Sequence, residues 1–236
     1  MNYLLIPGNP PAVYFYKLWK SEIESIEPKA LVQVSSYGEM YNQDDFSVQQ
    51  DEILFHHQTQ LKKFHKQVGN PVTIIGHSLG GFVALQLLEK YPQLIKDVIL
   101  LHPFLRKPDP KGRFILKTVA ALSKIQVIPN LVIKNRHILE WFSNELPFVT
   151  NEEMALSFKI GHFEANTILE DSSPLSFDHL EKKKLKVYYH PQDIWCPSEV
   201  VVQLKDQIQA IQCHEPHGFI TEKKHRESLW KKMSGK

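Results

Sequence analysis

Gly76, His77, Ser78, Leu79 and Gly80 follow directly on the apolar run Val72, Thr73, Ile74, Ile75 and directly precede a helical pattern. Only glycine tolerates the close approach of strand and helix two residues either side of so tight a turn. The spacing therefore projects the Ser78 hydroxyl above a sheet edge, with a helix N-terminus behind it and the Leu79 backbone N–H free to receive negative charge. That is the placement of a nucleophile. The glycine spacing and the missing lysine argue against a phosphate-binding Walker loop.

A serine hydroxyl needs a base, and the base needs an orienting carboxylate. Asp193, in Tyr189, His190, Pro191, Gln192, Asp193, follows an apolar run at the end of a strand where ligands gather, and is the expected acid. Asp109 is the spare. His217, in Glu215, Pro216, His217, Gly218, Phe219, lies between the last strand pattern and the last helical one and is the expected base, with His214 in reserve. Among the 12 histidines, His77 is expected to pack beneath the turn and His190 to end a strand. His56 and His57 face different sides of a helix and cannot pair as ligands. No metal and no cofactor is expected. A second oxyanion donor should come from Pro7, Gly8, Asn9, Pro10, Pro11. Neither Pro10 nor Pro11 has an N–H, which leaves the Asn9 amide, with Gly8, Gly76 and Gly80 as supporting turn residues.

Elements that could position these groups alternate along the chain. Six apolar runs, at Asn2 to Pro7, Ala30 to Ser35, Pro71 to Gly76, Lys96 to Leu101, Leu185 to His190 and Ala210 to His214, read as strands. Their continuous rather than alternating apolar character fits parallel strands covered on both faces. Helical patterns separate them. Pro11 suits a first helical position, ahead of Phe15, Leu18, Trp19, Ile23 and Ile26 on one face. Ser47 and Gln50 suggest a capping box before Leu54, Leu61, Phe64 and Val68. Pro197 opens a helix through Val201, Leu204 and Ile208, and a closing helix holds Leu229, Trp230 and Met233. The stretch 105–180 is too long for an ordinary strand connection and is expected to be a helical cap inserted after the fourth strand. Ile115, Val119 and Leu122 recur at helical spacing, and Trp141, Phe142, Phe148, Phe158 and Phe163 add apolar surface. Residues 1–104 and 181–236 then form the core of a single domain.

Composition limits the alternatives. With 42% hydrophobic and 23% charged residues the chain can bury a sizeable core, and its net charge of +2 is spread too evenly for a nucleic-acid footprint. Two cysteines, Cys196 and Cys213, are too few for a disulfide scaffold and fit a reducing compartment. No basic leader precedes the first strand, and Phe114 to Ile133, interrupted by Lys117, Lys124 and Pro129, cannot span a bilayer. A cytoplasmic protein, soluble or peripheral to a membrane, is expected; the same segment could lie on a lipid surface as an amphipathic helix.

Several separate stretches resemble the lipid droplet-associated hydrolases, a branch of the serine α/β-hydrolases. They are Ile6, Pro7, Gly8, Asn9, Pro10; Gly76 to Gly80; Pro110, Lys111, Gly112, Arg113; Asp193, Ile194, Trp195, Cys196, Pro197; and Pro216, His217, Gly218, Phe219. The resemblance implies an α/β-hydrolase fold, with a mostly parallel sheet flanked by helices. The chain starts at what would be the third strand of a full hydrolase sheet, which predicts six strands. Pro11 stands where the family usually has glycine, so its amide cannot serve the oxyanion. The implied activity is ester hydrolysis on lipid-like acyl substrates through a Ser78, His217, Asp193 triad, at a lipid droplet or membrane surface. A thioesterase or carbon–carbon bond hydrolase shares that triad. A non-catalytic protein presenting the cap to a lipid or partner is the competing class.

Overall fold

The computed structural model describes residues 1–37, 50–105, 107–123, 150–171 and 184–235. Six strands form one parallel sheet: β1 (Asn2–Ile6), β2 (Leu31–Val34), β3 (Val72–His77), β4 (Ile95–Leu101), β5 (Leu185–Tyr189) and β6 (Gln209–Gln212). Their order is β2-β1-β3-β4-β5-β6. All six strands expected from the apolar runs are present, within a residue or two of the expected ends.

The continuous runs are explained by burial on both faces. Leu4 and Ile6 of β1, Ile74 of β3, Val98 and Leu100 of β4 and Val187 of β5 enter one core. Tyr3 and Leu5, Ile75, Ile99 and Leu101, and Tyr188 enter a second core on the other side. The first core is covered by α2 (Gln50–Val68), α3 (Leu79–Lys90) and α6 (Ser198–Gln203). The second is covered by α1 (Val13–Ile26) and α7 (Lys223–Ser234). Between β4 and β5 lie α4 (Pro110–Ser123) and α5 (Asn151–Phe163), the latter continuing as a π-helical turn, Glu164–Ile168. Leu156, Ile160 and Phe163 of α5 belong to the same core as the sheet.

Two local expectations, at the start of α1 and the end of α6, are corrected. Helix α1 begins at Val13, not Pro11: Ala12 takes a left-handed conformation (φ 31°), and the Val13 N–H donates to Glu153 Oε1 of α5 at 2.9 Å. The inner face of α4 carries Gly112, Leu116 and Ala120, flanked by half-buried Ile115 and by Val119, whose Cγ1 packs against Gly161 of α5. The cause is close packing: a Cβ at Gly112 would stand 2.8 Å from the Ile194 carbonyl oxygen. Helix α6 ends at Gln203, because the chain tightens there, with Leu204 N–H bonded to the Val201 carbonyl, and turns toward β6. Ser47, Trp141, Phe142, Phe148, the Leu122 side chain and residues 124–133 lie outside the described residues.

Candidate active site

In an open parallel sheet, ligands bind at the carboxyl ends of the strands where the order reverses, here between β1 and β3. Asn9 follows β1 and Ser78 follows β3. Ser78 has φ 52° and ψ −119°, a region costly for any residue but glycine and held only when its surroundings determine it. Those surroundings are evident. Ser78 N–H donates to the Leu101 carbonyl at 3.0 Å, and the Ser78 carbonyl accepts from the amides of Gly81 at 2.9 Å and Phe104 at 3.0 Å. Glycine is required beside it: a Cβ on Gly80 would collide with the backbone oxygens of Ile6 and Pro7, and one on Gly8 would stand 2.8 Å from Ser78 Cβ. Ser78 is therefore displayed at the N-terminus of α3, whose positive end faces it.

Asp193 and His217 come together from the loops after β5 and β6. His217 Nδ1 lies 2.8 Å from Asp193 Oδ2. The other oxygen of Asp193 accepts the amides of Trp195 at 2.8 Å and Cys196 at 3.2 Å, which fixes the plane of the carboxylate. Burial by itself would raise this carboxyl, but the His102 and His217 rings outweigh it and hold Asp193 far below the usual carboxylate range. The side chains of the reserve residues go elsewhere. Asp109 caps α4, accepting the Gly112 N–H at 2.7 Å, and His214 is exposed.

Asn9 and Leu79 supply the candidate oxyanion donors. Among the described residues neither backbone amide has a hydrogen-bond partner. The Gly8 N–H, by contrast, is used: it donates to Tyr16 Oη at 3.2 Å. The Asn9 side chain is clamped by the connection between β4 and β5. Its Nδ2 donates to Glu164 Oε2 at 2.8 Å and to the Ser157 carbonyl at 3.3 Å. Burial pushes the Glu164 carboxyl up to about 7, against the opposing effect of the Asn9 amide.

Three features of the site were not legible from motifs. Tyr16 O–H reaches His77 Nδ1 at 2.5 Å, and His77 Nε2 lies 2.9 Å from the His217 carbonyl oxygen. With the tautomer this network assigns, a chain of hydrogen bonds runs from Gly8 through Tyr16 and His77 to the backbone of His217. His77 thus lies beneath the turn as expected, but it also ties the histidine loop to the serine turn. Burial, followed by His217 and His102, holds His77 well below its ordinary pKa and so neutral. The second feature is Glu164, which no spacing relates to Asn9. The third is His102, fully buried after β4, with Nδ1 3.2 Å from Asp193 Oδ2. His102, Asp193 and His217 offer three potential ligand atoms within 4.8 Å of one another. Two imidazoles thus face one carboxylate oxygen: the His217 contact at 2.8 Å is an aligned hydrogen bond, and the His102 contact at 3.2 Å is close but not aligned as one.

The model of the lipid-droplet associated hydrolase family matches residues 1–226. The chain belongs to that family. Its relatives in that family include the human (Homo sapiens) lipid droplet-associated hydrolase, 22% identical across 92% of this chain and 79% of that protein. Solved structures share the fold. A thermophilic esterase from Thermogutta terrifontis superposes with TM-score 0.59 at 15% identity, over 100% of this chain and 90% of that one. A 2-hydroxy-6-oxo-6-phenylhexa-2,4-dienoate hydrolase from Rhodococcus sp. strain RHA1 gives 0.62 at 16% identity, over 98% and 89%. This member of the family is a hydrolase of the α/β-hydrolase fold. No helix among the described residues is long and apolar enough to cross a membrane.

Proposed function

We propose that this chain is a serine carboxylester hydrolase that cleaves lipid-like acyl esters through an acyl-enzyme. The observation that carries the reading is the 2.8 Å pair of His217 Nδ1 and Asp193 Oδ2 on loops that the His77 bond ties to the left-handed turn of Ser78. His217 Nε2 takes the hydroxyl proton as Ser78 Oγ attacks the acyl carbonyl. The developing oxyanion receives the N–H groups of Leu79 and Asn9, each worth about 3 kcal/mol to the transition state. The imidazolium, held by Asp193, passes its proton to the leaving alkoxide. Water then repeats the sequence on the acyl-enzyme, with His217 again as base. Ser78 Oγ has no hydrogen-bond partner among the described residues, and in free hydrolases this contact commonly tightens only when substrate arrives. The lipid character of the acyl group rests on the family.

A graded series of p-nitrophenyl esters and acyl thioesters, assayed with wild type and Ser78→Ala, tests this reading. Turnover of esters is expected to rise with acyl length and to fall about a million-fold in the variant. Unchanged turnover in Ser78→Ala would refute it, and faster cleavage of thioesters than of esters would move the activity to that class.

A further inference from the structure

We infer that His102 is a positioning residue for the catalytic acid, a second imidazole whose N–H dipole is turned toward the Asp193 oxygen that also meets His217. The inference rests on the proposed triad and assigns a fourth member to it.

Its geometry is unusual in three independent respects. The His102 side chain is fully buried, and the contact of its Nδ1 with Asp193 Oδ2, 3.2 Å away, is bent, so Nδ1 has no aligned hydrogen-bond partner among the described residues. The backbone of His102 is left-handed, φ 46°, which is uncommon for a residue with a side chain and is held here by its N–H on the Tyr188 carbonyl at 2.8 Å. Asp193 Oδ2 also faces His217 Nδ1 at 2.8 Å, so one oxygen serves two rings.

The tautomer follows from the neighbours. An unprotonated Nδ1 would set a lone pair against an ionised carboxylate; a protonated one sets an N–H there. Nε2 is then an acceptor, and Cys213 Sγ stands 3.8 Å from it. Burial pushes the Cys213 thiol up to about 12, so it keeps its S–H, within reach of both His102 Nε2 and, at 4.0 Å, the Glu215 carbonyl oxygen. The titratable groups that face His102 are Asp193, Cys213, His77, His190 and His217. Burial, chiefly, keeps its ring below the ordinary imidazole value and hence neutral, despite Asp193.

The consequence concerns the base. A second N–H on Oδ2 takes up part of the carboxylate charge that would otherwise stabilise the His217 imidazolium. His102 and His217 therefore share the negative charge of one carboxylate oxygen, and His102 limits how much of it supports the base during turnover. No motif predicts this, because His102 lies at the end of a strand that contributes no member of the expected triad.

The test begins with fluorophosphonate labelling of the wild type, since an unlabelled Ser78 would refute the triad itself whatever His102 does. For a labelled and active enzyme, kcat/KM is then measured against pH for wild type, His102→Phe and His102→Asn. Phenylalanine keeps a ring and removes the donor; asparagine places its Nδ2 where Nδ1 was and tolerates the left-handed backbone. His102→Phe should move the acidic limb upward by about half a pH unit or more, and His102→Asn should keep the wild-type limb. A limb unmoved in His102→Phe, with only kcat reduced, makes His102 a packing residue and overturns the proposal. Should His102→Phe fail to fold, 15N-histidine spectra of the wild type decide, with the signals lost in His102→Asn giving the assignment. A neutral ring protonated at Nδ1 supports the proposal, and one protonated at Nε2 overturns it.

Discussion

Replacing Glu164 by glutamine separates the charge of this buried carboxyl from its hydrogen bond. Glu164 opens the π-helical turn after α5, is 6% exposed, and accepts the Asn9 side-chain amide at 2.8 Å. Burial moves it from 4.5 to about 7. The folded-state value is the higher, so the fold favours the neutral acid: stability is complete below about pH 4.5 and declines as pH rises through 7. The displacement corresponds to ~3 kcal/mol by linkage, reached above pH 7. A glutamine side chain in its place would carry no charge and would still accept from Asn9 through Oε1. In urea unfolding, Glu164→Gln should match wild type near pH 4.5 and exceed it by up to ~3 kcal/mol near pH 8.5. Activity toward a short ester should be retained, while Glu164→Leu, which releases the Asn9 side chain, should lose about tenfold in kcat/KM. A Glu164→Gln protein less stable than wild type near pH 8.5 would show that the ionised carboxylate is what the site needs, and would refute this reasoning.

Gly80→Ala should fail to give soluble, folded protein at ordinary expression temperature, because its Cβ would collide with the backbone oxygens of Ile6 and Pro7 and β1 cannot withdraw without leaving β3; circular dichroism of any recovered protein checks this. His57, fully buried on α2 with Nδ1 2.6 Å from Ser35 Oγ, is pushed down to about 3, chiefly by burial. Its neutral form is favoured, so its stabilisation is complete above about pH 6.5 and is lost as pH falls toward 3, up to ~5 kcal/mol. His57→Asn should flatten the decline in Tm over that range. Arg226 of α7 donates to both carboxylate oxygens of Glu22 on α1, at 2.9 and 2.6 Å, and to the Ile220 carbonyl at 2.7 Å. Arg226→Ala should cost about 3 kcal/mol in urea unfolding, with the ion pair broken on the buried side.

The sheet could be read from the sequence because its strands are buried on both faces, which leaves continuous runs such as Val98, Ile99, Leu100 and Leu101. Ser78 was legible because a tight turn restricts which residues can flank it. Asp193 and His217 followed from their positions after successive strands, and the structure brings them within hydrogen-bonding distance. Misplaced details have tertiary causes. Pro11 carries a valid helix-start signal, but Glu153, from 140 residues away, caps Val13 instead. The face of α4 turned inward depends on Gly112 fitting against the Ile194 carbonyl, which helical spacing alone cannot reveal. His102 and Glu164 have no motif, and the motif that contains His77 does not name its partner, since these contacts come from residues that the fold alone brings near: His77 meets Tyr16, His102 meets Asp193, and Glu164 meets Asn9.

The central claim is that Ser78 is the nucleophile of an assembled triad, and covalent labelling tests it most directly. Intact protein is treated with an alkyl fluorophosphonate, digested, and the adduct located by mass spectrometry. The account predicts a single phosphonyl group on the peptide that contains Ser78, abolished in Ser78→Ala and strongly slowed in His217→Ala. A wild-type protein that stays unlabelled, or labelling that persists in Ser78→Ala, would contradict it.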